Sequence, residues 1–321
     1  MQVWQGLPAE RAMNDGCNLA LGNFDGVHRG HQHLISSVVQ KSRSGGGDGV
    51  VVTFVPHPAR VLESSPPGLL TTTGRKIKLI GQLGIDHLFL LPFTRSLAAL
   101  EPEAFVREIL WAHFHPRLVA VGFNFTFGHR GAGTPALLRR LGEELGFKVE
   151  VMAPVTLRGL TVSSTAIRNA LGNGDIGLAR DLLGYWPVLT GRVVAGDQRG
   201  RQLGFPTANL AVPPELKLPA CGVYACFASS RGQKWQAVVN IGRRPTFGSH
   251  LPATIEAHLL DFSGNLYNEE MELEFRAFLR QERKFANPGE LKAQMEVDRE
   301  QARNILGGFG FSILEQRDRQ A

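Results

Sequence analysis

The first half of the chain alternates short apolar runs with amphipathic segments of helical length. The apolar runs are Asn18–Phe24 (NLALGNF), Gly49–Val55 (GVVVTFV), His87–Phe93 (HLFLLPF), Leu118–Asn124 (LVAVGFN) and Lys148–Val155. Between them, helical spacing of apolar residues covers about Gly30–Ser42, Lys76–Leu83, Pro102–His113 and Pro135–Leu145. Strands that are apolar throughout are covered on both faces, and strands separated by helices pair in parallel through right-handed crossovers. The pattern predicts a doubly wound α/β domain whose ligands bind beyond the carboxyl ends of the strands.

The pattern changes near Gly184–Pro187. Short runs with Gly/Pro turns follow at Val188–Val194, Val223–Ala228, Ala237–Ile241, Thr254–Leu260 and Met271–Leu279. Their spacing predicts an antiparallel β-barrel. Helical periodicity returns from Glu290 to Leu306. A chain of 321 residues exceeds what one core usually supports, so two domains are expected, 1–186 and 187–321.

Composition adds little to this and excludes several classes. Hydrophobic residues make up 43% and charged residues 20%, as in ordinary globular proteins. The net charge of +6 is spread over both halves with no block of five like charges, which favours a mildly basic surface over a nucleic-acid footprint. No apolar run reaches membrane-span length, and the N-terminus lacks the apolar stretch of a secretory signal. Cys17, Cys221 and Cys226 form no CxxC pair, so reduced, buried thiols in a cytoplasmic protein are expected.

Gly22–His31 (GNFDGVHRGH) follows the first strand and opens the first helix. A helix N-terminus offers free N–H groups and partial positive charge to a phosphate. Gly22, Gly26 and Gly30 let backbone approach an anion, and His28 and His31, three apart, face one pocket if that turn is helical. Neither a GxGxxG fingerprint nor a GxxxxGK[ST] loop is present. Three more segments close or follow strands on the same side: Phe54–Pro58 (FVPHP), Gly122–Gly128 (GFNFTFG) and Val162–Arg168 (VSSTAIR), the last starting a helix at Ser163 or Ser164. Taken singly, each reads equally as a rigid turn, core aromatics or an N-cap. Taken together they read as one composite site, with Ser164, Thr165 and Arg168 suited to a triphosphate.

The second half carries GFPTAN at 204–209. On extended chain the Thr207 hydroxyl and Asn209 carbonyl point to one side, an oxygen pair suited to Mg²⁺. A Pro-initiated turn with a hydrogen-bonding Asn is the alternative. Val239–Phe247 (VNIGRRPTF) reads as a turn with two arginines, and on Ile255–Phe262 (IEAHLLDF) strand alternation puts Glu256 and His258 on one face. Glu256 there could serve as a general base toward an alcohol or as a solvated surface carboxylate.

From about residue 14 to 306 the chain resembles the prokaryotic bifunctional riboflavin kinase/FMN adenylyltransferases, also called FAD synthetases. The segments that carry the resemblance are, in order, GNFDGVHRGH, FVPHP, GFNFTFG, VSSTAIR, GRQLGFPTANL, GVYA at 222–225, NIGRRPTF, IEAHLLDF with NLY, and LRQERKF at 279–285. The resemblance implies a nucleotidylyltransferase domain followed by a six-stranded barrel with a terminal helix. The barrel would phosphorylate riboflavin to FMN with ATP. The first domain would join FMN to the AMP part of a second ATP, giving FAD and pyrophosphate.

By the same resemblance, His28 and His31 would stabilise the α-phosphoryl transition state. Gly22, Phe24, Asp25, Gly26, Asn124, Ser164, Thr165 and Arg168 would bind ATP, and Pro56, His57 and Pro58 would edge the FMN pocket. In the barrel, Gly204, Pro206, Thr207 and Asn209 would bind ATP, with Thr207 and Asn209 on Mg²⁺ and Glu256 as base. The LRQERKF segment would lie near the flavin.

The chain departs from that family at Phe123, where an acidic residue is common, at Ala166, where Arg is frequent, and at Asn268, where Gly is usual. HxGH is shared with class I aminoacyl-tRNA synthetases, but the chain has no obvious KMSKS-like segment or anticodon-binding extension. A flavin-binding protein with a decayed site is the other alternative. The presence of His28, His31, Thr207, Asn209 and Glu256 argues against it.

Overall fold

The computed structural model describes all residues except 8–11, 13–15, 197–199, 201–203, 243–252 and 310–321. The chain divides into two compact units, Met1–Ala166 and Ile167–Ala321.

The first unit is built on strands β1 (Gln2–Gln5), β2 (Cys17–Leu21), β3 (Asp48–Val55), β4 (His87–Pro92), β5 (Pro116–Gly122) and β6 (Lys148–Met152). They form one parallel sheet in the order β1-β4-β3-β2-β5-β6. Apolar residues fill these strands because helices cover both faces. Leu19, Leu21, Val50, Val52 and Phe89 pack on Phe105, Leu110, Leu138 and Leu141. Their neighbours Ala20, Val51, Leu88 and Leu90 pack on Leu34, Ile35, Val38 and Ile80. The chain winds outward from β2 in one direction through β3 and β4, and in the other through β5 and β6. The gap between β2 and β5 is therefore the switch point where such sheets hold ligands.

Several boundaries differ from the sequence expectation. The first strand stops at Leu21 instead of Phe24, because Phe24 takes a left-handed backbone, φ 47°. The last stops at Met152 instead of Val155: Pro154 removes a ladder donor, and the chain turns into a small hairpin, β7 (Thr156–Leu157) and β8 (Leu160–Thr161). Strand β1 was not expected. Its sequence QVWQ gives no apolar run, yet Trp4 stacks on Phe89 at 5.6 Å and its ring N–H reaches His87 Nδ1 at 3.4 Å. The segment expected to be an α-helix over Pro102–His113 contains a π-helical stretch at Phe105–Trp111.

In the second unit, β9 (Val188–Val194), β10 (Ala208–Ala211), β11 (Gly222–Ser230), β12 (Gln233–Gly242), β13 (Thr254–Leu259) and β14 (Glu270–Arg280) form a closed barrel in the order β10-β13-β12-β11-β14-β9. Every pairing is antiparallel. Strand β10 lies in the GFPTANL segment and closes the barrel between β9 and β13. β11 is buried almost throughout because it too is covered twice. Tyr224 meets Phe275 of β14 edge-on at 5.2 Å, while Ala225 and Phe227 pack on Ala302 and Leu306 of the helix Pro288–Gly307. That helix starts with a reciprocal cap. Asn287 Oδ1 accepts from Glu290 N at 2.9 Å, and the Glu290 carboxylate accepts from Ala286 N at 3.2 Å.

The division between the units falls inside the helix Ser164–Gly172, and the helix Ile176–Leu183 packs on β14. Packing thus changes earlier along the chain than the sequence pattern does at 184–187. Of the thiols, Cys17 and Cys226 are buried as expected, and burial pushes Cys17 up to about 12. Cys221 is exposed, a correction that follows from its place in the connection before β11 rather than in a strand.

The Tyr224 hydroxyl donates to Ala220 O at 2.6 Å. Removing it leaves a half-buried carbonyl short of a partner, so Tyr224→Phe should cost about 1 kcal/mol. Urea unfolding of the full chain should show that loss in the barrel's transition, with the first unit's transition unchanged.

Candidate functional sites

The loop from Gly22 to His28 leaves β2 at the switch point and enters the helix Arg29–Gly45. It is tightly wound: Phe24, Gly26 and Val27 all have positive φ, 47°, 78° and 36°. For a β-branched valine that backbone is strained and is retained only where surroundings over-determine it. Gly26 is the position in this turn that takes the conformation without a Cβ penalty.

His28 is the N-cap of the helix. Its Nδ1 accepts from His31 N at 3.3 Å, which places the ring proton on Nε2. The His28 and His31 rings stack at 3.6 Å, and Phe24 meets His31 edge-on at 5.2 Å. The two rings, expected to face one pocket, lie side by side at the start of the helix. Burial, then the neighbouring charges of His28 and Lys76, hold His31 well below the ordinary imidazole value, so it is neutral at pH 7. Its Nδ1 is buried with no hydrogen-bond partner.

Two flanking segments hold the loop. Ser164 Oγ donates to Asp25 O at 3.0 Å, so VSSTAIR reaches GNFDG as expected, and Ser163 Oγ caps the helix by accepting from Ala166 N at 3.2 Å. Thr165 is exposed, and Arg168 lies beyond the first unit. The second segment, residues 70–76, was not singled out from the sequence. Leu70 N donates to Asp25 Oδ1 at 2.9 Å, Gly26 N donates to Thr71 Oγ1 at 3.3 Å, and Lys76 Nζ donates to Asn23 O at 2.9 Å. LLTTTGRK carries no glycine pattern or histidine; a lysine inside a helical apolar stripe was the available signal.

Beside the loop lies a cavity of about 510 Å³ lined by Asn23, Phe54, Pro58, Phe93, Phe125 and Phe127, with Arg95, His129 and Arg130 among its polar groups. Neighbouring aromatic rings here sit 5.6–6.5 Å apart (Phe54–Phe93, Phe54–Phe105). FVPHP and GFNFTFG thus meet on one cavity. Of the first, Phe54 and Pro58 line it. Pro56 is exposed, and His57 instead caps the helix Pro58–Leu62, its Nδ1 accepting from Ala59 N at 3.2 Å. Asn124 and Phe123 are exposed just past β5, Phe123 at 47%.

The barrel holds a second cavity, of about 380 Å³. Asn209 of β10 pairs with Glu256 of β13, which pairs with Asn240 of β12, so these three side chains form a row on one barrel face, and all three line the cavity. Thr207 and His258 line it as well, so the same-side expectations for Thr207/Asn209 and Glu256/His258 hold geometrically. Gly196 opens the space: a Cβ there would collide with the Asn209 side chain.

His258 Nδ1 donates to Pro206 O at 2.9 Å, and burial lowers its pKa. Phe205 lines the cavity, whereas Gly204 and Pro206 do not. Arg280, Glu282, Arg283 and Phe285 bring in the LRQERKF segment. Arg280 is held bidentately by Asp298, which is 2% exposed, at 2.9 and 2.7 Å. Arg243 and Arg244 of NIGRRPTF lie outside the described residues. The Asn268 departure has a local reason: φ is 65°, a region glycine takes freely and asparagine tolerates.

A parallel α/β unit with a tight glycine–histidine loop at its switch point, followed by a closed barrel with an oxygen-rich cavity, is the architecture of a two-domain nucleotide-dependent transferase. Family models agree: an FAD synthetase model matches residues 10–166 and a riboflavin kinase model residues 183–306. The bifunctional riboflavin kinase/FMN adenylyltransferase of Escherichia coli K12 is 36% identical, covering 92% of this chain and 95% of its own. That of Bacillus subtilis is 38% identical, covering 88% and 90%. A crystal structure described as a macrolide-efflux protein from Streptococcus pneumoniae superposes with TM-score 0.85 at 28% identity, over 95% of this chain and 99% of that one. Among the described residues of this chain, no helix is long and apolar enough to cross a membrane. The chain belongs to the bifunctional riboflavin kinase/FMN adenylyltransferase family and is an enzyme with an FAD synthetase domain and a riboflavin kinase domain.

The neutral, buried His31 has a measurable consequence. Its folded-state pKa is depressed, so below 6.5 the unfolded chain takes up a proton that the folded chain refuses. Stability from this group is complete above 6.5 and declines as pH falls toward the folded value, by up to about 1.4 kcal/mol per pH unit for one proton. Denaturant unfolding at pH 7.5 and pH 5.5 should show a smaller loss in His31→Gln than in the wild type. Equal losses would exclude the buried neutral imidazole.

Proposed function

We propose that the two activities run in sequence on separate sites, riboflavin phosphorylation in the barrel (187–321) and adenylylation of FMN in the α/β domain (1–186). The observation that supports this reading is that each unit has a cavity of its own, one beside the Gly22–His28 loop and one lined by Thr207, Asn209 and Glu256.

In the barrel, Glu256 takes the proton from the ribityl 5′-hydroxyl, whose oxygen attacks the γ-phosphorus of ATP and releases ADP. Asn209 and Thr207 offer hard oxygens of the kind Mg²⁺ prefers, in the cavity where Glu256 stands. When bound, Mg²⁺ would neutralise charge on the transferring phosphates. His258 holds the Pro206 carbonyl and so keeps the GFPTAN turn against β13. The Arg280–Asp298 pair fixes the LRQERKF side of the cavity, where the flavin would lie.

In the α/β domain, an oxygen of the FMN phosphate attacks the α-phosphorus of ATP and pyrophosphate leaves. No side chain forms a covalent bond, so positioning and charge compensation supply the rate. His28 donates from Nε2 to the phosphoryl oxygens, and neutral His31 adds a second ring donor. The backbone N–H groups at the start of the helix Arg29–Gly45 favour the same anion. Ser164 fixes the loop through Asp25, and Thr165, Arg168 and Asn124 complete the nucleotide site. The aromatic cavity has the flat apolar lining an isoalloxazine ring needs, with Pro58 in its wall; Pro56 and His57 would stand just outside it. We place the enzyme in the cytoplasm, with riboflavin, FMN, FAD and ATP as its ligands and no nucleic acid or membrane partner.

Glu256→Ala should abolish FMN formation while leaving FMN-to-FAD conversion largely intact. His31→Ala should do the reverse, so that FMN accumulates from riboflavin and ATP. Chromatography of the products reads both. Equal loss of both reactions in either folded variant would sink the two-site assignment.

A further inference from the structure

A buried lysine needs an explanation, because taking its charge out of water is costly unless partners compensate. Lys76, on the helix Thr73–Gly81, is 6% exposed. Its Nζ donates to the Asn23 carbonyl at 2.9 Å, a neutral acceptor inside the GNFDG loop. Among the described residues this is its hydrogen bond, which leaves two of three ammonium donors for an incoming oxygen. Burial pulls its pKa below the ordinary lysine range, and the Asp25 carboxylate opposes that shift without reversing it.

A second buried group on the same loop is also incomplete. His31 Nδ1 has no partner, and the Lys76 charge acts on that ring. Buried polar groups are satisfied in the great majority of cases, so two neighbouring shortfalls point to a ligand that supplies what is missing. An anion with several oxygens does so, accepting from the ammonium and from a proton on His31 Nδ1. The surroundings suit an anion: the buried Asp25 carboxylate accepts from Leu70 N, and the helix Arg29–Gly45 begins at His28 on the same loop.

We propose that Lys76 is a polyphosphate-binding residue of the adenylyl-transfer site, holding the GNFDG loop by the Asn23 carbonyl and a phosphate oxygen by its remaining donors. This rests on the adenylyl-transfer reading of the α/β domain and adds a residue to it.

The test uses the reverse reaction of the full chain, FAD plus pyrophosphate giving FMN plus ATP, with pyrophosphate as the probe. Lys76→Met fills the same volume without charge, and replacing a buried ion by an apolar group of similar size is often tolerated. It should raise the KM for pyrophosphate about tenfold or more, equivalent to about 1.4 kcal/mol or more. Riboflavin phosphorylation should stay within about twofold of wild type, and Lys76→Arg should recover most of the pyrophosphate affinity.

An unchanged KM in Lys76→Met would overturn the proposal. So would equal loss in the Met and Arg variants, which marks a packing role. In the wild type, the Lys76 ¹³Cε resonance should move on titration with pyrophosphate. A stationary resonance overturns the proposal even if both variants misfold. Absence of any wild-type pyrophosphorolysis would instead count against the adenylyl-transfer reading itself.

Discussion

The structure of the α/β domain depends on how one strongly bent connection is held. Between Leu21 and Arg29 the chain must leave the centre of a parallel sheet, reverse, and start a helix while exposing N–H groups rather than side-chain bulk. Three positive φ values within four residues are the conformational cost. Buried hydrogen bonds offset it: Asp25 receives Leu70 N, its carbonyl receives Ser164 Oγ, and Asn23 O receives both Thr53 Oγ1 and Lys76 Nζ. The bonds come from three separate parts of the chain, β3, residues 70–76 and Ser164, so the loop is fixed only when these have come together. The stacked histidines and the left-handed Phe24 ring beneath them are consequences of that anchoring.

Much of this was legible along the chain. Apolar runs separated by helical spacing gave the parallel core, because a strand covered on both faces has no polar positions to show. Glycines and histidines directly after the first run marked an anion site for a physical reason, the exposed start of a helix. What the pattern could not show were elements stabilised by single contacts. QVWQ pairs as an edge strand through one stacked tryptophan, and residues 70–76 matter through backbone groups and one buried lysine. Hydrogen bonds made by main chain leave no mark on residue type.

The barrel was legible for the opposite reason. Period-two alternation on β13 put Glu256 and His258 on one face, and the register with β10 and β12 turns that alternation into the row Asn209–Glu256–Asn240. Thr207 and Asn209 were found because extended chain fixes their direction. Asn240 and Asp298 were missed: the first requires knowledge of which strand lies beside β13, and the second lies on the terminal helix, where it lines the cavity and holds Arg280. Glycine at 196 likewise has meaning only once Asn209 is in place.

The central claim is that one chain carries out two consecutive phosphoryl-type transfers at two separate sites, with FMN as product of the first and substrate of the second. The most direct measurement is a chromatographic time course of riboflavin incubated with Mg²⁺-ATP and the pure full-length protein. The account predicts that FMN appears first, passes through a maximum and declines as FAD and pyrophosphate accumulate. FMN as the sole end product, or no conversion of added FMN to FAD, would contradict it.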